Sequence, residues 1–197
     1  ADSSTMTEIV ITGIGSVTSL GDDAESTWTN LLSGESGVGH ITHFDASQYE
    51  KIPDIAAEVE SDPSDWSVGT PRRMGRYAQF ALKAAEEALD DADLGPTESE
   101  RDSTVVGTSI ATSLGGVPEM EAYTRDIIDG EWISPSAFLQ VLPNLASGYV
   151  SIEFDARGPN RAPAAACAAG AQAIADAARD IEAGRADVMI AGGTEAV

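Results

Sequence analysis

Strands alternating with helices predict an α/β layer built on a largely parallel sheet. Three observations carry that prediction. Short β-branched runs at residues 9–12, 104–110 and 188–191 read as buried strands. A helical apolar period at residues 74–89 separates the first two, and an alanine-rich helical stretch after Cys167 precedes the third.

Residues 1–5 read as a polar tail, and Met6 opens the fold proper. Residues 9–12 form the expected first strand. Residues 22–33 follow as an amphipathic helix, with Asp22 and Asp23 near its start, Trp28, Leu31 and Leu32 on its apolar side, and Gly34 just past its end. No period survives from 37 to 70, so surface loops are expected there, with a short strand near 55–59. After Pro71, the residues Met74, Tyr77, Ala78, Ala81, Leu82, Ala85, Ala88 and Leu89 keep i, i+3, i+4 spacing, and Glu86, Glu87 and Asp90 point to water.

Residues 104–110 read as a second strand, and Pro118 with Glu119 opens a helix running to Asp129 before Gly130. Asn144 is a candidate cap for a helix carrying Leu145, Tyr149 and Ile152. Past the Arg157-Gly158-Pro159 turn, residues 161–166 read as a strand and 167–183 as a helix stopped by Gly184. That helix has no charge in its first half, which predicts burial on all sides. Residues 188–191 form the last strand, ending in Gly192-Gly193. The sequence stops at Val197, straight after a core strand and without a closing element, which is an odd place for a domain to finish.

The 33 acidic and 11 basic residues leave a net charge of -22, about one negative charge per nine residues. Such a field repels phosphate backbones and anionic lipid surfaces, so neither nucleic acid nor membrane is an expected partner. Lysine occurs only at positions 51 and 83, and the acids spread from Asp2 to Glu195. That pattern fits a protein adapted to concentrated salt, where screening relieves self-repulsion. A single cysteine permits no internal disulfide. The longest uncharged stretch, residues 132–152, is interrupted by Pro135, Pro143, Asn144 and several serines, unlike a bilayer span. With no signal peptide visible, the expected compartment is the cytoplasm.

The Gly13-Ile14-Gly15-Ser16-Val17-Thr18 run sits after a predicted strand but fails the dinucleotide fingerprint: Thr18 stands where the third glycine belongs, and Asp22 and Asp23 come too early. A tight turn is the better reading, and no cofactor is expected. His40 and His43 lack further ligands at metal-binding spacing, so no metal is expected either. Cys167 stands apart. At the first turn of a helix its thiol faces unpaired N–H groups that favour the nucleophilic thiolate and can hold an oxyanion. Ala168, Ala169 and Gly170 leave room beside the sulfur. The alternative is a small buried core cysteine.

Six motifs in order extend the reading: Ile9-Val10-Ile11-Thr12-Gly13-Ile14-Gly15, Arg72-Arg73-Met74, Ile133-Ser134-Pro135, Arg157-Gly158-Pro159, Ala165-Ala166-Cys167-Ala168-Ala169-Gly170, and the run from Ala186-Asp187-Val188 to Gly193-Thr194-Glu195. Together they resemble the amino-terminal half of a β-ketoacyl-acyl-carrier-protein synthase of the elongating, condensing type. The resemblance spans nearly the whole chain. It implies the thiolase-like fold, of which residues 6–197 would form the first of two α/β halves, with a mostly parallel core sheet, helices on both faces and the carboxy-terminal half absent.

Carried over position by position, the resemblance makes Cys167 the nucleophile that accepts an acyl group from a carrier thioester. It makes Arg72 and Arg73 a patch for the acidic acyl carrier protein, although a solvated helix start would also use such residues. It puts Leu114 near the gate of the acyl pocket and Ala137 near its far end. Ala165 departs from the family, which often has Thr there. Decarboxylative condensation with a malonyl thioester would need two histidines and a lysine that the family keeps in its second half; His40 and His43 do not match them. The implied partners are an acyl carrier protein or acyl-coenzyme A, a malonyl thioester, a second copy in a homodimer paired through residues 161–166, and the missing half or a complementary subunit. The rivals are a coenzyme A thiolase, which condenses without loss of carbon dioxide, and a non-catalytic partner akin to chain-length factors.

Overall fold

The computed structural model describes residues 8–49, 51–66, 68–69, 74–94 and 102–196. The polar tail expected at 1–5 and both Arg72 and Arg73 lie outside the described residues. Helix α1 (Ala24–Ser33) starts where Asp23 accepts a hydrogen bond from the Ser26 N–H at 2.6 Å, and it stops at Gly34, whose φ of 76° suits a residue without a side chain. Two short strands, β1 (Gly39–His40) and β2 (Ile55–Ala56), pair antiparallel in the loop-rich region. Helix α2 (Arg76–Asp91) buries Tyr77, Ala78, Ala81, Leu82, Ala85 and Leu89, the stripe its spacing predicts.

Strand β3 (Val106–Ala111) is buried along its whole length and is followed by α3 (Val117–Asp129) and α4 (Leu145–Glu153). The short β4 (Asn160–Arg161) leads to α5 (Ala169–Glu182) and β5 (Val188–Gly193). The sheet runs β4-β3-β5, all parallel, with β3 and β5 in register from Val106 opposite Val188 to Ala111 opposite Gly193. Alternation along β3 sorts the layers. Ile110 joins Ile190, Tyr77, Leu82 and Val150 beside α2 and α4, and Ala111 packs with Ala169 and Ala173 of α5 on the opposite face. On the α4 side the buried Ser147 hydroxyl donates to Thr108 Oγ1 at 3.0 Å, so neither polar group is left unpaired. Among the described residues no helix is long and apolar enough to cross a membrane.

Four expectations need correction. Residues 9–12 form no strand: Val10 and Ile11 are exposed, the latter by 80%, and the chain runs along α2 instead. There the Ile14 N–H donates to Asp91 at 2.9 Å and the Ser16 N–H to Glu87 at 2.8 Å. Glycine at 13 and 15 allows that approach, since a Cβ on either would collide with the α2 carbonyl of Ala88 or Ala84. Of residues 161–166 only Arg161 is strand; Pro163 has no N–H for a ladder, and Ala166 takes a φ of 46°. Helix α5 begins at Ala169 and is buried along one stripe, Ala169, Ala173, Ala177 and Asp180, while Ile174 is 52% exposed. Asn144 precedes α4 but makes no side-chain cap bond.

The buried charge on that stripe is matched. Asp180 has a fully buried side chain, and its carboxylate accepts from Arg161 Nε and Nη2, the latter at 2.8 Å, and from Arg185 Nε at 2.6 Å. One carboxylate thus ties the end of β4 to the segment that leaves α5.

Candidate functional site at the carboxyl edge of the sheet

In a parallel sheet the loops that follow the strands gather at one edge, together with the amino ends of the helices that return across it. Here that edge is made by the ends of β3 and β5. The Thr194 N–H donates to the Ala111 carbonyl at 2.9 Å, and the Thr194 hydroxyl to the Tyr77 carbonyl at 2.5 Å, which fixes the exit of β5 to both β3 and α2. Burial, with nearby Glu119, Tyr149 and Glu195, pushes the Tyr77 phenol far up, so it stays a neutral donor to the Leu142 carbonyl at 2.6 Å. The first turn of α5 rests on the same strand end. A Cβ on Gly193 would lie 2.9 Å from the Gly170 Cα, so this backbone contact requires glycine at 193 and leaves a Cβ at 170 only 3.2 Å from the Gly193 Cα.

Cys167 is exposed and occupies the middle of the single 3-10 turn (Ala166–Ala168) that feeds α5. That exposure removes the buried-core alternative. Ala166 immediately before it has a left-handed φ of 46°, a conformation that costs a residue with a Cβ about 1–3 kcal/mol and concentrates at functional sites. The turn closes through the Ala168 N–H to the Ala165 carbonyl at 3.0 Å. Among the described residues the Cys167 N–H has no backbone acceptor. It is therefore free to donate to an incoming oxygen, beside the positive end of the 14-residue α5.

The loop after β3 carries Leu114, which is 54% exposed. Its backbone is held by a residue whose role sequence reasoning did not assign. Glu195 Oε2 accepts from the Ser113 N–H at 2.9 Å and the Leu114 N–H at 3.0 Å, and Oε1 accepts from the Thr112 hydroxyl at 2.9 Å. The same Thr112 oxygen accepts from the Gly115 N–H at 3.1 Å, and Gly115 turns the chain with a φ of 68°. The Gly116 N–H then donates to the Val141 carbonyl at 3.3 Å. That contact sets the loop against the turn (Ala137–Gln140) that opens with the buried Ala137. The structure thus places Leu114 and Ala137 on adjoining segments.

His40 and His43 sit elsewhere, on and just past β1. His40 Nδ1 lies 3.2 Å from an exposed Asp54 oxygen, and the His43 N–H donates to Glu58 at 3.4 Å. Among the described residues no three His, Cys, Asp or Glu side chains gather as a metal site would need. Glu195 and the Gly170–Gly193 pair were visible only as letters of a motif, because nothing in their local spacing announces contacts with segments far away in the chain.

Comparison with known proteins matches this geometry to a family. The model for the Beta-ketoacyl synthase, N-terminal domain, matches residues 6–197. The chain is 36% identical over 192 residues to a 3-oxoacyl-[acyl-carrier-protein] synthase 2 of Staphylococcus aureus (strain COL), covering 95% of this chain and 45% of that protein. It is 35% identical over 195 residues to a protein of the same name from a Synechocystis species, with the same coverage. It spans less than half the length of these relatives. Among solved structures, a Beta-ketoacyl synthase from Burkholderia phymatum superposes with a TM-score of 0.82 at 30% identity over 95% of this chain and 47% of that one. The ishigamide ketosynthase/chain length factor gives 0.79 at 28% identity over the same shares. A type II polyketide ketosynthase in complex with its acyl-carrier protein gives 0.77 at 30% identity over 95% and 45%. Family, sheet topology and the thiolase-like arrangement agree, and this chain belongs to the β-ketoacyl synthase family, matching its amino-terminal domain.

Proposed function

We propose that the chain supplies the acyl-accepting half of a β-ketoacyl synthase. The Cys167 thiolate attacks the carbonyl carbon of an acyl thioester. The tetrahedral oxyanion, held by the Cys167 N–H, collapses with cleavage of the C–S bond to the carrier. The carrier thiolate leaves and takes up a proton, and the acyl group remains on Cys167 as a new thioester. The observation that carries this reading is the exposed Cys167 after the left-handed Ala166, on the same sheet edge as the Leu114 loop.

Leu114 and Ala137 would line the acyl channel, and Arg72 and Arg73 would meet the carrier. The donor is an acyl carrier protein or acyl-coenzyme A; the first is favoured by the carrier-bound polyketide neighbour. Condensation with a malonyl thioester would be completed by histidines and a lysine of a second half, in a cytoplasmic dimer. The chain-length-factor neighbour favours a second reading, a non-catalytic subunit, but such a subunit has no need of an exposed, preorganised Cys167.

Acyl-enzyme trapping tests the choice. Incubation with an acyl-carrier thioester, then mass spectrometry of peptides, is expected to place the acyl group on Cys167 and nowhere in Cys167→Ala. An adduct on another residue, or none, refutes the acyl-accepting role. Ketoacyl product from residues 1–197 alone would refute the assignment of condensation to a second half.

A further inference from the structure

We propose that Glu195 is a positioning residue for acyl-chain selection: its carboxylate fixes the loop that carries Leu114 on the sheet edge that carries Cys167. The inference rests on the acyl-accepting reading and deepens it. The Leu114 side chain is 54% exposed, so core packing does not set its place; its backbone N–H and that of Ser113 are both bound to Glu195 Oε2. Thr112 completes the clamp with a hydroxyl that donates to Glu195 and accepts from Gly115, so its proton direction is decided by the carboxylate. Glu195 itself springs from a rigid base, because Thr194 is bonded to the ends of both β3 and α2. Two residues earlier, Gly193 touches Gly170 in the first turn of α5, three residues past the nucleophile. One stretch, 193–195, therefore references the Leu114 loop and the Cys167 helix to the same strand end.

The chemistry needs a carboxylate. A glutamine at 195 offers one oxygen to the two N–H groups, but its amide nitrogen would point a donor at the Thr112 hydroxyl, which must then reverse. The loop loses a charge-assisted bond and a defined hydroxyl, and the channel wall at Leu114 moves, whereas Cys167 keeps its own turn.

The test uses the complete synthase that contains residues 1–197. Acylation of Cys167 by butyryl and by dodecanoyl carrier thioesters is measured as separate kcat and KM values for wild type, Glu195→Gln, Thr112→Val and Thr112→Ser. Melting temperature and the rate of Cys167 alkylation report on overall damage. Glu195→Gln and Thr112→Val are each expected to change the dodecanoyl-to-butyryl ratio of kcat/KM by about tenfold, chiefly through KM, the size of one charge-assisted hydrogen bond. Thr112→Ser keeps the hydroxyl and is expected to keep the wild-type ratio. An unchanged ratio in both disruptive variants, or an equal fall for both chain lengths, overturns the proposal for Glu195 and leaves the acyl-accepting reading standing. A wild-type enzyme whose Cys167 takes neither acyl group overturns both.

Discussion

Replacing Asp180 by asparagine isolates the contribution of a carboxylate that is fully buried, the one such carboxylate among the described residues. The side chain keeps its shape but loses its charge, and its amide nitrogen must face a guanidinium donor. Three charge-assisted hydrogen bonds are affected, two from Arg161 and one from Arg185. Each is worth about 1.5–3 kcal/mol when fully desolvated. Both arginines are roughly half exposed, at 44% and 51%, so water recovers much of what they lose. Halving the gross value leaves about 2–4 kcal/mol, in line with other broken buried pairs.

For a chain of this length that loss lowers Tm by roughly 10 °C. Arg161→Ala should cost less, since Arg185 still pairs the carboxylate. The Arg161 hydrogen bond, opposed by burial and aided by Arg185, holds the Asp180 carboxyl below its ordinary range. Its stabilisation is therefore complete above the unfolded value of about 3.9 and is lost as pH falls through the lowered folded value. Thermal and urea unfolding between neutral pH and pH ~3 should show the gap between wild type and Asp180→Asn constant above about pH 4 and narrowing below it. A neutral-pH difference under about 1 kcal/mol, or a gap that does not narrow at all below about pH 4, would refute the argument.

Two further outcomes follow from the fold and the composition. Gly15→Ala puts a Cβ into the Ala84 carbonyl and should destabilise by about 1–3 kcal/mol in urea unfolding, while Gly39→Ala, with open space around it, should change stability little. The charge of -22 implies that Tm rises as potassium chloride goes from ~0.1 M to ~1 M, where the Debye length shrinks to about 3 Å; a flat response would remove the salt-adaptation reading.

Elements defined by their own neighbours were legible in the sequence. The stripe of α2, the Asp23 and Gly34 ends of α1, the Gly130 stop of α3 and strands β3 and β5 depend on local period, caps and β-branching. What depended on distant partners was not. Residues 9–12 have strand composition, yet two glycines beside them commit the chain to the backbone of α2. The alanines of α5 mark a close approach on one side and say nothing of the other, so their composition alone predicts more burial than the one stripe that α5 has. The position of Cys167 just before a helix is readable in the sequence, but the left-handed Ala166 that precedes it is not, because alanine gives no cue to positive φ. The Glu195 clamp joins residues 83 apart and had no local signal at all.

That separation has a consequence for biosynthesis. Strand β3 pairs in parallel with β5, and the loop beyond it is held by a residue 83 positions later. Contacts of such long range form slowly and only after the intervening chain exists. At about 5–20 residues per second, a ribosome needs roughly 4–17 s after making Thr112 to deliver Glu195. Throughout that interval the wholly buried β3 has an open side where β5 will dock, and α5 lacks the strand end against which its first turn is seated. The nascent chain must therefore carry an unfinished parallel sheet for seconds, and the sheet edge beside Cys167 takes shape only when β5 slots in.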